Sequence, residues 1–318
     1  MACLMLLFLP NNENFLELKG ITMNQTLHTQ RIDSRLWHWI GALSLAVVLS
    51  GSAMAAGITS TKHNLTTTGT SPNKQSNTDQ ICVFCHTPHA ADVTAPVPLW
   101  NKKMNVTGAT YNTYDQLNTS TLNGQILAVG SVSLACLSCH DGTQAMDNII
   151  NAPGSGGFDA TGGGAAGIGF VWTAGNKTMS NTSTTLAMLS TDLRNDHPVG
   201  IQYCGGGLTG ATTVVSGTCS DTDFINGTLG STSDGRPAQV KTANINTNQV
   251  FWVDVDNLAG RGKNDIQLYT RTFTAGSGPS VECGSCHDPH VESKATDNVM
   301  FMRVTTAGSK VCLSCHVK

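Results

Sequence analysis

The sequence is short of charge and of aromatic rings. Lys, Arg, Asp and Glu make up 12% of its 318 residues and Phe, Trp and Tyr 6%, against 33 glycines. Such a composition is a poor recipe for an ordinary apolar core, which is built from large side chains. A basic footprint is also missing. The formal charge is −3, which excludes nucleic acid as a partner. No apolar run makes a good transmembrane span: the run from Trp39 to Leu49 falls short of the about 20 residues a bilayer needs.

That run fits an export signal instead. Met23 is a plausible start, Arg31 and Arg35 form a basic n-region, and Ser52-Ala53-Met54-Ala55 reads as a cleavage site. Residues 1–55 are therefore expected to be a signal region, with residues 1–22 outside the signal plan and cleavage after Ala55. An N-terminal membrane anchor is the alternative.

What the chain has in quantity is cysteine in a fixed setting. Cys-x-x-Cys-His occurs at Cys82–His86, Cys136–His140, Cys283–His287 and Cys312–His316. This run is the attachment site of a c-type haem. The two thiols add across the porphyrin vinyl groups, and the adjacent histidine lies under the iron as proximal ligand. Cys82, Cys85, Cys136, Cys139, Cys283, Cys286, Cys312 and Cys315 would thus hold four covalently attached haems, with His86, His140, His287 and His316 on the irons. Large apolar porphyrins would supply the core that the composition withholds. Bacterial haem attachment takes place outside the cytoplasmic membrane, so the signal and the motifs agree. Zinc is the alternative for any one CxxC pair, and four copies with a following histidine on an exported chain weigh against it.

Cys204 and Cys219 lie outside the motifs. In an oxidising compartment they read as a disulfide closing a Gly-rich loop, with two free thiols as the alternative.

The histidines can be counted against the irons. Removing the signal takes away His28 and His38 and leaves eight histidines. Four are proximal, and the remaining four, His63, His89, His197 and His290, match four distal positions. His89 and His290 each follow their proximal histidine by three residues, so neither reaches the far side of its own porphyrin. Each is expected to serve a neighbouring haem. His197 sits in Asp196-His197-Pro198, where Asp196 is a candidate to orient the ring. His63 lies on a polar arm. Methionine is the competing ligand, with Met104, Met146, Met179, Met188, Met300 and Met302 available.

The fold class expected from these features is a multihaem c-type cytochrome, mostly coil with short helices around haems, plus a small β-rich insertion. Its division is an arm over 56–80, a part holding haems 1 and 2 over 81–202, the insertion over 203–274, and a part holding haems 3 and 4 over 275–318. Within the insertion, Thr212–Val215, Val250–Val255 and Ile266–Thr274 have strand composition. Tyr111–Leu127 is a helix candidate. Leu134–Gly142 should carry the second site on a helical turn ended by Gly142. Asn151–Gly169 is a Gly/Ala loop.

At these residues the sequence resembles the tetrahaem outer-membrane c-type cytochromes of metal-reducing bacteria, the outer-membrane cytochrome E type. The resemblance is carried by Thr61-Lys62-His63-Asn64-Leu65, Ile81–His89, Val97–Asn101, Cys136–Thr143, Asp192–Val199, Cys283–His290 and Cys312–His316, in that order. The resemblance implies a polymer of subunits joined head to tail into an extracellular filament with a continuous haem stack. It also implies that one distal histidine, with His63 the natural candidate, is donated to a neighbouring subunit. The cysteine-paired β-rich stretch departs from the family pattern and puts polymerisation in question if it covers an end of the subunit.

Three functions follow as alternatives. The first is a non-enzymatic, exported carrier at the cell surface or beyond, passing electrons to other redox proteins or extracellular acceptors, as a filament. The second is a monomeric periplasmic shuttle. The third is a multihaem oxyanion reductase, which needs an iron with an open position that an even ligand count does not leave.

Overall fold

A computed structural model of the chain describes residues 57–104, 107–162, 170–173, 177–179, 187–211, 213–258, 260–290 and 301–317. The signal region, Met300 and part of the Gly/Ala tract lie outside the described residues.

The strands decide the architecture. They are β1 (Ile201–Gln202), β2 (Thr209–Ala211), β3 (Val214–Ser216), β4 (Gly230–Ser231), β5 (Pro237–Ile245), β6 (Asn248–Asp254), β7 (Ile266–Phe273) and β8 (Gly276–Val281). Six of them form one sheet in the order β1-β8-β7-β6-β5-β4, every pair antiparallel, and β2-β3 is a separate hairpin. The sheet curls into a half-barrel, and strand exceeds helix by 25% to 16%. The expectation of a mostly coil chain with helices around haems is therefore wrong. The sheet is the framework, and its strands β1 and β8 lie outside the stretch 203–274.

The reason is packing. Along β5 and β6 the register sets Val240 opposite Val253 and Thr242 opposite Phe251; along β6 and β7 it sets Phe251 opposite Leu268 and Val253 opposite Ile266. Because side chains alternate across a strand, these residues share one face. Tyr203, Leu208, Ile225, Val281 and Val304 join them in a single buried cluster. Val311 and Cys315 of the fourth motif pack against the same cluster. The core is thus protein-built, and the haem motifs are set on its edge.

The turns are locally encoded. Asn246 and Thr247 connect β5 to β6 with φ of 48° and 70°, the left-handed pair that a two-residue type I′ hairpin requires. The disulfide joins Cys204 to Cys219, with Cα atoms 5.3 Å apart. It ties the segment after β1 to the one after β3.

Among the described residues α-helix is confined to α1 (Ser131–His140), α2 (Cys283–Cys286) and α3 (Lys310–Leu313), each in or running into a haem motif, beside several 3-10 turns. The helix expected over Tyr111–Leu127 reduces to a 3-10 turn at Tyr114–Leu117, ended by left-handed Asn118. Its apolar residues are spaced too irregularly to offer one face to the core. Among the described residues no helix is long and apolar enough to cross a membrane.

Candidate functional site

Each motif is fixed by hydrogen bonds within it and to residues outside it. In the first, the amides of Cys85 and His86 both donate to Cys82 O. Buried Asn101 then clamps the turn: its Nδ2 donates to Val83 O at 2.7 Å and to Asn151 O at 2.8 Å, and its Oδ1 accepts from the Asn151 amide. The second motif rides on α1. Asp141, just past the helix, accepts from Tyr111 Oη at 2.7 Å and from the Thr143 amide at 2.8 Å, and Gly142 follows with φ 75°.

The third motif is a continuation of the sheet. β8 ends at Val281, Glu282 caps α2, and Cys283 opens it. The Glu282 side chain is buried and accepts from Arg271 of β7 at 2.7 Å and from Ser133 Oγ of α1 at 2.5 Å. Ser133 Oγ in turn accepts from the Cys283 amide at 3.0 Å. One carboxylate therefore locks the sheet, the second motif and the third motif together. Burial still pushes the Glu282 carboxyl up, against those bonds. Inside the motif, Gly284 has no room for a side chain, since a Cβ would run into Tyr269 Oη and come within 3.1 Å of Val132 Cγ1.

The fourth motif is held by residues 223–225 and Arg236. Ile225 N donates to Cys315 O at 2.8 Å, Val317 N to Asp223 O at 2.9 Å, and Arg236 to Lys310 O at 2.9 Å. The rings of Phe224 and His316 lie 4.3 Å apart.

The attachment cysteines form a series. Cys85 of motif 1 lies within electrostatic reach of Cys139 of motif 2. Cys136 of motif 2 is in hydrogen-bonding contact with Cys283 of motif 3. Cys286 of motif 3 lies beside Cys312 and Cys315 of motif 4. These sulfur contacts run in chain order, while a histidine contact also brings His290, past the third motif, to His86 of the first. Burial pushes the Cys85 thiol up to about 12 and the Cys286 thiol up to about 11.

The histidines supply the fit test for haem iron. His86 and His290 have ring centroids 6.1 Å apart and an interplanar angle of 18°. His63 and His140 have centroids 6.0 Å apart at 75°. Two imidazoles on opposite sides of one metal ion, each bonded at about 2.0–2.1 Å and each with its nitrogen about 1.1 Å from its ring centre, place their centroids about 6.3 Å apart. Both pairs match that span.

The second ring nitrogen agrees. His86 Nδ1 meets Pro98 O at 2.8 Å, His140 Nδ1 meets Ala187 O at 2.7 Å, and His63 Nδ1 meets Pro289 O at 3.3 Å. A carbonyl only accepts, so Nδ1 carries the proton and Nε2 keeps the lone pair that binds metal. His290 Nδ1 pairs with Asp288 Oδ1 at 3.1 Å, and that contact helps hold the Asp288 carboxyl down at about 2. Burial, then nearby His140, push His63 down to about 4, so it stays neutral. Phe301 stacks on its ring at 4.2 Å.

His197 is exposed, and its Nδ1 meets Pro198 O at 3.0 Å rather than Asp196. His89 is also exposed. The orienting carbonyls of Pro98, Ala187 and Pro289 leave no trace in side-chain patterns. The Glu282–Ser285 capping box around the third motif was legible in principle, as a carboxylate three residues before a serine.

A family model described as a doubled CXXCH motif matches residues 278–318, the third and fourth motifs. That motif binds c-type haem covalently. No curated protein matches the chain. The matched haem motifs are those that the sheet and residues 223–225 hold in place, which is consistent with a multihaem c-type cytochrome.

Proposed function

We propose that the chain is a non-enzymatic electron carrier with four c-type haems ligated by paired histidines, working as a filament outside the cell. The observation that carries the reading is the spacing of the two histidine pairs, each joining a motif histidine to one from a distant segment. A haem iron, when bound, exchanges one electron between its ferrous and ferric states. The chain's own part is to place and orient ligands. Carbonyls and Asp288 fix the imidazole tautomers. His290 closes the position opposite His86, and His63 the one opposite His140. A site closed on both faces has no room for substrate, which weighs against an oxyanion reductase.

The series of attachment cysteines supports transfer from motif to motif in chain order. Motif 1 then lies at one end of the series and motif 4 at the other. His89 is exposed at the first end, and in this reading it ligates the fourth iron of the next subunit. Such a heterologous contact does not close and gives an open polymer, as the resemblance to filament-forming cytochromes implies. His197 is assigned to the third iron, since Gly200 donates to Val281 O at 2.8 Å, two residues before Cys283. In this reading His63, beside His140 of its own chain, serves within the subunit, and His89 serves across the boundary.

That same placement of His63 favours a second reading, the self-contained periplasmic shuttle. Electron microscopy of the purified haem protein separates the two. Fibres support the filament, and a uniform monomer carrying all its haems supports the shuttle.

A further inference from the structure

A cavity of about 330 Å³ opens beside the third motif, lined by Arg261 and Lys263 from the loop before β7, Gln267 and Tyr269 of β7, Asp288, and Arg303. Three cations face one carboxylate there, in a chain with 18 lysines and arginines and a net charge of −3. Asp288 is already engaged, accepting from the His290 amide and ring and meeting Arg303 at 3.4 Å. The wall thus keeps an excess of positive charge.

Arg303 is held for a purpose other than solvation. Its side chain is 12% exposed, and Nε donates to Gly284 O inside the motif at 3.0 Å. Arg261 and Arg303 both lie within electrostatic reach of the half-buried Tyr269. With Arg303 held against the motif backbone and Arg261 and Lys263 on the same wall, guanidinium and ammonium groups surround one space, a set that recognises a carboxylate. Two sources of carboxylate exist: a propionate of the haem held by Cys283 and Cys286, or a free carboxylate from solution. The cavity shares Asp288 with the haem ligand segment and Arg303 with the backbone of the motif, which favours the propionate.

We infer that Arg261, Lys263 and Arg303 form a carboxylate receptor that takes a propionate of the haem on the third motif and sets the potential of that haem. This rests on the haem reading above. Positive charge beside the propionate disfavours the ferric state, so removing it lowers the potential.

The test is a spectroelectrochemical titration of the haem-loaded protein, with haem content read on the same samples by pyridine haemochrome. Lys263 and Arg261 are exposed, so Lys263→Ala, Lys263→Glu and Arg261→Ala probe charge without opening the core. The expected result is one midpoint lowered in Lys263→Ala and Arg261→Ala, and lowered further in Lys263→Glu. The other midpoints stay in place, and added citrate moves none of them. The inference is overturned if all midpoints match the wild type. It is also overturned if citrate saturably shifts the wild type but not the variants, which assigns the cavity to a soluble carboxylate. Absence of haem from the wild type would overturn the haem reading itself, whereas normal haem content with unmoved midpoints overturns only this assignment.

Discussion

His86 of the first motif and His290, three residues past the third, have ring centroids 6.1 Å apart and planes inclined by 18°. That distance is too wide for close ring stacking and right for a metal ion between them. In the proposed reading, the third motif's extra histidine ligates the first motif's iron.

His290→Ala should therefore open the iron of the first haem and leave the third with its own ligands. The expected outcome is full haem content with one high-spin iron among low-spin ones, read by electron paramagnetic resonance. Loss of the haem on motif 3 instead would show that His290 acts on its own motif.

His63 and His89 separate ligation within a subunit from ligation between subunits. His63→Ala should give one high-spin iron in fibres that still assemble, because His63 sits against His140 in the same chain. His89→Ala should leave well-loaded subunits that no longer polymerise. Electron microscopy of the two variants checks this, and the reverse pattern would return His63 to the subunit boundary.

The four attachment motifs, the cysteine pair and the strands at 250–255 and 266–274 could be read directly from residue types. The size of the sheet could not. β5 reads Pro-Ala-Gln-Val-Lys-Thr-Ala-Asn-Ile, and its buried positions Ala238 and Thr242 are too small or polar to stand out as an apolar alternation. β8 contains two glycines and a proline, all poor strand formers. It persists because Pro279 lies just past the two residues that pair with β1, where the missing N–H forfeits no bond on that side. The histidine pairs were legible as a count of four ligands for four irons. Their pairing was not, because partners such as His86 and His290 meet only through the tertiary fold.

The disulfide should matter to the sheet rather than to the haems. Cys204 and Cys219 are 15 residues apart, and a loop of that size is worth about 3 kcal/mol in the chain-entropy account. Replacing both by serine should lower the melting temperature by several degrees with haem content and spectra unchanged. Calorimetry beside a haem assay checks both halves.

Acid should weaken the β5–β6 hairpin through Asp254. Burial opposes its charge, but Lys241 and the amides of Asp256 and Asn257 outweigh burial and hold its carboxyl below the usual range. A depressed value in the folded state means that this stabilisation is complete above the ordinary carboxylate pKa of about 3.9 and is lost as pH falls through the folded value. Asp254→Asn should thus cost stability at neutral pH, and the gap to wild type should shrink in acid. Melting temperatures of both proteins across that range would show it; a gap that stays constant would mean the charge is not the cause.

The central claim is that every iron is closed by two histidines. Low-temperature electron paramagnetic resonance of the oxidised haem-loaded protein, with near-infrared magnetic circular dichroism to name the ligands, tests it directly. The account predicts four low-spin irons per chain, all with histidine–histidine ligation. A high-spin iron in a fully assembled sample, or a histidine–methionine signature on any haem, would contradict it.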